Sequence, residues 1–147
     1  MQPPQFTVHF VNWQAAAPQL RAVRTEVFIH EQRIPEALEW DDKDSHALHA
    51  LATDSAGIPV GTGRLLLKGE LAQIGRLAVL RAWRGRGVGA SLLHCLVEEA
   101  RQRGAGSAFL NAQTTAVPFY ERFNFVCEGE EFFEDGIPHY RMTRALG

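Results

Sequence analysis

Apolar and polar residues alternate near the start of the chain, and this alternation predicts a first β-strand. The apolar residues of this strand are Phe6, Val8 and Phe10. Apolar residues at helical spacing come next and predict a helix that begins at Pro18, because proline suits the first position of a helix. The apolar residues of this helix are Leu20, Val23 and Val27. The chain is therefore expected to open with one strand and one helix.

The rest of the chain is predicted to contain six strands and two helices. The predicted strands are 46–53, 58–67, 73–79, 107–112, 125–130 and 139–143. A glycine-rich segment precedes the longer helix, whose apolar stripe runs from Val88 to Ala100 and which ends at Gly104 and Gly106. The shorter helix spans residues 117–123. This order predicts a mixed α/β fold with a largely antiparallel sheet and one parallel crossover around the longer helix.

The length of 147 residues predicts one domain that covers residues 1–147, and the hydrophobic fraction of 46% is typical of a globular protein. The formal net charge of −2 argues against a protein that binds nucleic acid through bulk charge. No apolar run reaches the roughly 18 residues of a membrane helix, and residues 1–5 lack the basic start of a secretion signal. Two cysteines are too few for a disulfide scaffold. The sequence therefore predicts a cytoplasmic protein without nucleic-acid or membrane partners.

Residues 84–89, with the sequence RGRGVG, lie between a predicted strand and a predicted helix. The first N–H groups of a helix have no partner within the helix, and the helix dipole places partial positive charge there. Glycines allow a bulky anion to approach these N–H groups, and two arginines add charge and forked donors for phosphate oxygens. The segment therefore predicts a binding site for a diphosphate group.

Two other phosphate-binding motifs fit the sequence less well. The P-loop motif is absent, because no Gly-Lys-Ser or Gly-Lys-Thr occurs. The dinucleotide fingerprint G-x-G-x-x-A is formally matched by Gly85, Gly87 and Ala90. However, residues 80–84 separate the strand from the first glycine, and the next strand ends at residues 111–112 without the acid that binds a ribose. A nicotinamide or flavin cofactor is therefore disfavoured.

Residues 75–79 (GRLAV) and, after a short loop, the pattern Arg84-x-x-Gly87-x-Gly89 resemble the GCN5-related N-acetyltransferase (GNAT) superfamily. In that superfamily the signature Gln/Arg-x-x-Gly-x-Gly/Ala holds the pyrophosphate of coenzyme A. Further segments resemble the small bacterial ElaA-type subgroup, and they are residues 23–32, 111–113, 118–125 and 134–139. The resemblance implies the GNAT fold, with a mixed, mostly antiparallel central sheet, a splayed pair of parallel strands and flanking helices.

The resemblance also implies acetyl-CoA as cosubstrate, bound through its coenzyme A part, and no metal. The residues that are expected to bind it are Leu77, Ala78, Val79, Arg84, Gly85, Arg86, Gly87, Val88, Gly89, Ala90, Asn111 and Phe119. Backbone groups of Leu77 and Val79 are expected to pair with the pantetheine arm like an added strand, and the amides of residues 84–90 to bind the pyrophosphate. Asn111 and Phe119 are expected to flank the arm near its thiol.

Three residues are candidates for proton transfer. By the resemblance, Tyr120 is expected to protonate the departing sulfur, since the family places a tyrosine a few residues before the pair at 124–125. Many family members carry a glutamate early in the fourth strand as base, but this chain has Gly75 there. Glu31, at the end of the helix expected over the acceptor cleft, and His139, at the start of a closing strand, are the candidate bases. A structural role is the alternative for each.

The predicted function is transfer of an acetyl group from acetyl-CoA to a small primary amine or a peptidyl amine, by direct attack in a ternary complex. Two alternatives stay open: a non-catalytic acyl-CoA-binding or regulatory module, and a transferase for a longer acyl chain. The acidic segment 36–44 is either a solvated loop or a lip that attracts a cationic acceptor. A homodimer is an expectation from the family.

Other residues with reactive side chains receive a structural interpretation. His46 and His49 are three apart on a presumed strand, so they are expected to point to opposite faces and not to form a metal pair. Cys95 and Cys127 are expected to be buried, inert thiols.

Overall fold

A computed structural model describes residues 5–147, and its strands form one seven-stranded sheet. In chain order the strands are β1 Phe6–Val11, β2 Leu48–Asp54, β3 Pro59–Lys68, β4 Leu71–Val79, β5 Ser107–Gln113, β6 Val126–Glu134 and β7 Ile137–Ala145. Their order across the sheet is β1-β2-β3-β4-β5-β7-β6, and every neighbouring pair is antiparallel except β4 and β5. The predicted fold class is therefore confirmed. Residues 1–4, on which part of the secretion-signal prediction rests, lie outside the described residues.

Helices cover both faces of this sheet. They are α1 Trp13–Arg24, a π-helix Thr25–Glu31 that continues α1, α2 Glu36–Glu39, α3 Val88–Gln102 and α4 Val117–Glu121. Short 3₁₀ turns at residues 44–46, 81–83 and 114–116 connect other elements. Within residues 5–147, none of the helices combines the length and the apolar character that crossing a membrane requires.

Helix α1 begins earlier than the sequence predicts. Asn12 has an extended backbone, and its side-chain oxygen accepts a hydrogen bond from the backbone N–H of Gln14 at 2.8 Å. This is the geometry of a helix N-cap. Pro18 consequently lies inside α1. The prediction of a helix start at Pro18 is wrong because the asparagine cap fixes the first turn five residues before the proline.

Two glycines in β3 allow α3 to pack closely on the sheet. A Cβ atom at Gly63 would lie 2.6 Å from Cδ1 of Leu96, and one at Gly61 would lie 2.9 Å from Cδ1 of Leu92. Such distances are too short for real Cβ contacts, so a larger residue at either position would force these leucine side chains to shift. On the opposite face, α1 buries Leu20 against the sheet. The core therefore has two layers, and the sheet lies between them.

Strands β4 and β5 separate after a short paired stretch. Residues 71–73 of β4 pair with residues 107–109 of β5, and the pairing stops there. The edge of β4 from residue 74 to residue 79 is therefore open toward β5. This arrangement confirms the splayed parallel pair that the sequence resemblance implies.

A one-residue bulge accompanies the divergence of β4. Ala78 is opposite Thr62 of β3, whereas Gly75 is opposite Arg64, so β4 uses three steps where β3 uses two. Arg76 lies in the bulge with a positive φ of 51°. Its carbonyl oxygen accepts a hydrogen bond from the Thr62 hydroxyl at 3.0 Å. The bulge therefore bends β4 and keeps the displaced carbonyl satisfied.

The hairpin of β6 and β7 is longer than the sequence predicts. The predicted strands leave residues 131–138 as a connection, but the observed connection is the two-residue turn Asp135-Gly136. Both turn residues have positive φ, at 54° and 77°, as a type I′ turn requires. The longer strands carry this turn to the open side of β4 and β5, where Asp135 lines the cavity described below.

Candidate active site

A cavity of about 550 Å³ lies where β4 and β5 diverge. Among the predicted cosubstrate-binding residues, those that line it are Leu77, Ala78, Val79, Arg84, Gly85, Gly87, Val88, Gly89, Ala90, Asn111 and Phe119. Arg86 lies outside the lining, with its guanidinium carbon 4.7 Å from the ring centre of Trp83. Of the candidate catalytic residues, Tyr120 and His139 line the cavity and Glu31 does not.

The start of α3 forms an open, positively polarised end of the cavity. Gly87 is the N-cap residue, with φ 86° and ψ 6°, and no side chain caps the helix within the described part of the chain. Gly85 also has a positive φ of 77°, a conformation that glycine adopts at low cost. A Cβ atom built at either glycine meets no heavy atom within 4 Å. The N–H groups of the first turn are therefore accessible to an anion.

Arg84 is held beside this helix start by two other groups. Its Nε donates to the carbonyl of Val79 at 2.9 Å, and its Nη1 and Nη2 donate to the two carboxylate oxygens of Glu31, each at 2.7 Å. Arg81 adds a contact to Glu31 at 3.4 Å. Hydrogen bonding from Arg84 lowers the pKa of Glu31. Glu31 is therefore an ionised partner of two arginines, and a lowered pKa makes it a weak proton acceptor.

The open edge of β4 supplies backbone groups to the cavity wall. Leu77 and Val79 lie on this edge and line the cavity. Because β3 pairs with the other edge of β4, the N–H and C=O groups that point toward β5 have no strand partner there. An extended ligand can pair with such an edge as an additional strand does.

Tyr120 lies in α4 among aromatic rings. Its ring contacts those of Phe119 and Phe125 edge to face, with centroid distances of 5.1 and 6.2 Å. Burial raises the pKa of Tyr120 to about 12. The hydroxyl therefore stays protonated throughout the neutral range, which suits a proton donor.

His139 is buried near the start of β7, with 6% of its surface exposed. Its Nδ1 lies 2.7 Å from the carbonyl oxygen of Ile137, and because a carbonyl only accepts, Nδ1 carries the donated proton. Nε2 of the neutral ring therefore holds a lone pair, and Oε2 of Glu134 lies 3.6 Å from it. Asn111 donates to the other oxygen of Glu134 at 3.5 Å. Nε2 can thus accept a proton, and Glu134 can stabilise the resulting cation.

A ring of alternating charges borders the cavity at the side of α1. We call it the charge ring, and its members in order are Arg24, Glu39, Arg76, Asp41, Arg64 and Asp44. Contacts around the ring measure from 2.7 to 3.4 Å, so each carboxylate is shared by two guanidinium groups. The ring ties α1 and residues 36–44 to β3 and β4.

Three of the five acids in segment 36–44 differ from both predictions, whereas Glu36 and Asp42 are exposed as a solvated loop predicts. Glu39 and Asp44 are each 2% exposed, and Asp41 is half-buried. Burial raises the pKa of Glu39. Burial also acts to raise the pKa of Asp41, but hydrogen bonds from Arg64 and from the backbone of Lys43, together with the charges of Arg64 and Arg76, outweigh it and lower that pKa. Neither a solvated loop nor a free acidic lip describes these acids, because arginines of other elements bind all three.

Comparison with known proteins assigns the chain and its fold to a family. The family model described as an acetyltransferase (GNAT) domain matches residues 14–146. The chain belongs to the GNAT family. Among curated relatives, the uncharacterized N-acetyltransferase YjcF of Bacillus subtilis (strain 168) is 38% identical over 123 residues, which cover 83% of this chain and 87% of YjcF. The protein ElaA of Escherichia coli (strain K12) is 32% identical over 132 residues, which cover 86% of each chain.

Solved structures agree with this GNAT assignment. An acyl-CoA N-acyltransferase from Pseudomonas aeruginosa has a TM-score of 0.85 at 29% identity, and ElaA from Escherichia coli has a TM-score of 0.84 at 27% identity. Each comparison covers 95% of this chain and 99% of the other chain. The resemblance to ElaA-type GNAT proteins is thereby confirmed. GNAT membership implies an acyl-CoA cosubstrate and an amine acceptor, and the roles of individual residues stay predictions.

Two structural interpretations outside the cavity are corrected. His46 lies in the 3₁₀ turn at residues 44–46, before the start of β2, so it does not share a strand with His49. Cys127 is exposed and Cys95 is partly buried, so neither is the fully buried thiol that the sequence suggests. Cys127 is exposed because it lies on β6, which is the last strand of the sheet.

The sequence reasoning missed the polar residues at the acceptor side of this GNAT cavity. Arg64, Arg76 and Glu39 line it, and although Arg76 lies in the 75–79 segment and Glu39 in the acidic segment, none of the three is among the site residues that the sequence predicts. Gln113 of β5 also donates to Gln32, just after the π-helix, at 2.8 Å. The acidity of segment 36–44 was the available signal, but its arginine partners come from distant parts of the chain.

Proposed function

We propose that this GNAT protein transfers an acetyl group from acetyl-CoA to a primary amine by direct attack in a ternary complex. The observation that carries the proposal is one cavity that joins an uncapped, glycine-lined helix start to an unpaired strand edge. The helix start suits a diphosphate, and the strand edge suits an extended amide-containing arm. Coenzyme A combines these two groups in one molecule.

The proposed contacts follow from the cavity lining. Backbone amides of residues 84–90 bind the pyrophosphate, and the edge at Leu77 and Val79 pairs with the pantetheine arm. Asn111 and Phe119 flank the arm near its sulfur. Within residues 5–147, a Cβ atom at Gly85 or Gly87 would meet no heavy atom within 4 Å beyond its own chain neighbours, and this supports the assignment, since the phosphates need that space.

The acetyl thioester supplies the group that is transferred, and the chain supplies proton transfer on either side of it. An alkylamine has a pKa near 10.4, so most of it is protonated at neutral pH and a base raises its reactivity. We assign this base to Nε2 of His139, because His139 lines the cavity, its Nδ1 donates to the carbonyl of Ile137, and Glu134 lies 3.6 Å from Nε2. Tyr120 donates its phenolic proton to the departing sulfur.

Glu31 is the less suitable base of the two candidates. Two arginines hold its carboxylate, its pKa is lowered, and it does not line the cavity. We propose instead that Glu31 fixes Arg84 next to the helix start. A cytoplasmic location and a homodimer stay predictions from the sequence.

Thiol release from acetyl-CoA, measured with and without a panel of primary amines, tests the proposed function. We expect release that depends on the amine, with the acetylated amine detected by mass spectrometry. Binding of acetyl-CoA without amine-dependent release would contradict the proposal and favour a non-catalytic acyl-CoA-binding module. Faster thiol release from longer acyl-CoAs than from acetyl-CoA would show that the transferred group is a longer acyl chain.

A further inference from the structure

The charge ring leaves one guanidinium edge unused. Arg64 is 5% exposed, and its Nη1 donates to Asp41 and Asp44 at 2.9 and 3.1 Å. Its Nε and Nη2 have no hydrogen-bond partner among the described residues. These two nitrogens form one side of the guanidinium fork, which presents parallel N–H groups. A carboxylate fits such an edge with two parallel hydrogen bonds.

The unused edge is open to the cavity. In the described part of the chain, the buried side-chain atoms that lack both solvent access and a hydrogen-bond partner are Nε of Arg76 and Nε of Arg141. Nε and Nη2 of Arg64 are not among them, and Arg64 lines the cavity. The two free donors therefore remain accessible to a molecule in the cavity.

Gly75 leaves space beside this edge. It is the cross-strand partner of Arg64, and directly opposed residues of antiparallel strands share a face of the sheet. A Cβ atom at Gly75 meets no heavy atom within 4 Å, although Gly75 lines the cavity. The position that often holds a glutamate in this family is therefore empty space next to a guanidinium with free donors.

The neighbouring acids do not offer a matching site for a cation. Glu39, Asp41 and Asp44 each contact two arginines of the charge ring. Arg76 adds a further cation at this side, and its Nε lies 3.1 Å from Glu39 without the alignment of a hydrogen bond. Nε and Nη2 of Arg64 are therefore unused donors, whereas the carboxylate of Glu39, whose Oε1 has no hydrogen-bond partner among the described residues, already balances two guanidinium groups.

We propose that the acceptor of this transferase carries a carboxylate in addition to its amine, and that the Nε–Nη2 edge of Arg64 binds that carboxylate beside Gly75. This inference rests on the proposed function and names its acceptor class as amino carboxylates. It replaces the cationic acceptor that the acidic segment suggested, because the acids of that segment that lie beside Arg64 and Arg76, namely Glu39, Asp41 and Asp44, are already paired.

Matched pairs of acceptors test the proposal. Each pair contains an amino acid and its carboxamide: glycine, β-alanine and γ-aminobutyrate against the corresponding amides, with kcat/KM expressed for the unprotonated amine. For the best-fitting chain length we expect the carboxylate to exceed its amide by about ten- to a hundredfold, the usual range for a bidentate charge-assisted contact. Equal values, or a preference for the amide in every pair, would overturn the proposal.

Variants at Gly75 locate the contact without breaking the charge ring. Gly75→Glu places a competing carboxylate beside Arg64, and Gly75→Gln is the neutral control of the same size. We expect Gly75→Glu to remove the preference for carboxylates, and Gly75→Gln to reduce it less. A preference that is unchanged in Gly75→Glu would show that the carboxylate binds elsewhere.

A binding measurement separates this inference from the proposed function. If no amine of either kind releases thiol, the proposed function fails, and the melting temperature of the coenzyme A complex is measured with the same six compounds. A rise with a carboxylate, absent with its amide and absent in Gly75→Glu, would support the carboxylate site. The absence of any rise with a carboxylate would overturn it.

Discussion

The two ends of the cavity are built in opposite ways. At the helix start, residues 84–90 offer backbone N–H groups, and glycines keep side chains out of the space in front of them. At the charge ring, six side chains from α1, residues 36–44, β3 and β4 occupy one another. The helix start depends on the absence of side chains. The charge ring depends on equal numbers of guanidinium and carboxylate groups that pair with one another.

This difference separates general binding from selectivity. A backbone site recognises a group that every acyl-CoA shares, and most side-chain changes around it have small effects. A buried ion-pair ring is costly to desolvate and contributes little net stability, but the loss of one member leaves an excess buried charge of the opposite sign in the ring. We therefore expect substitutions at the charge ring to act on folding and acceptor choice, and substitutions at the helix start to act on cosubstrate binding.

The largest expected effect follows removal of one charge from the ring. Arg24→Met leaves Glu39 and Asp44, both 2% exposed, without a shared partner. We expect the free energy of unfolding to fall by about 3–5 kcal/mol, measured by urea denaturation. The control is Arg103→Met, whose exposed pair with Glu99 contributes about 0–1 kcal/mol. Similar losses of unfolding free energy in the two variants would contradict the expectation that the buried charge ring is more sensitive than an exposed ion pair.

We expect Tyr120 to affect the rate of the chemical step and not the binding of acetyl-CoA. Tyr120→Phe should lower kcat by about a hundred- to ten-thousandfold in the thiol-release assay, with acetyl-CoA affinity unchanged. Because the pKa of Tyr120 is about 12, loss of its proton should not depress the wild-type rate below that pH. Tyr140→Phe, at the other tyrosine of the chain, is the control and should keep its kcat. Wild-type turnover in Tyr120→Phe would reduce Tyr120 to a packing residue.

Substitutions of the two candidate bases, His139 and Glu31, should change the pH dependence of kcat/KM differently. His139→Gln should lower kcat/KM by about a hundredfold at pH 7, and the defect should shrink toward pH 10, where a much larger fraction of the amine is already neutral. Glu31→Gln is the matched carboxamide change outside the cavity and should alter kcat/KM by about threefold or less. A larger loss of kcat/KM in Glu31→Gln than in His139→Gln would assign the role of base to Glu31.

The smallest expected effect follows substitution of Arg84, the charged side chain beside the start of α3. Arg84 already donates to Glu31 and to Val79, so little of its donor capacity is free for phosphate. Arg84→Gln should therefore weaken acetyl-CoA binding by about two- to tenfold, measured by isothermal titration calorimetry. A loss of more than about a hundredfold would show that the guanidinium, and not the backbone, provides most of the binding.

The sequence predicts the helix-start end well because its signals are local. Glycines 85, 87 and 89 precede an apolar stripe at helical spacing, and helix α3 indeed begins at Val88. The seven strands along the chain follow from similar short patterns, and the structure confirms that they form a largely antiparallel sheet. Local reasoning fails at Pro18, where a proline in a helix interior competes as a start signal with the true cap, Asn12.

The charge ring could not be predicted in the same way. Its six members are spread from Arg24 to Arg76, and their pairing depends on the bulge of β4 and on the placement of residues 36–44 over the sheet. An acidic segment read alone indicates a solvated surface. Tertiary contacts with three arginines reverse that interpretation, and they also create the donor edge at Arg64.

Calorimetric titration of acetyl-CoA into the wild type, Gly87→Glu and Gly57→Glu tests the central claim most directly. Gly57 has a positive φ of 82°, close to the 86° of Gly87, but lies in the β2–β3 turn outside the cavity lining, so both variants carry the same backbone strain. We predict saturable binding to the wild type and to Gly57→Glu, and no measurable binding to Gly87→Glu. Equal affinity of the three proteins, or no binding to the wild type, would contradict the assignment of this cavity to an acyl-CoA.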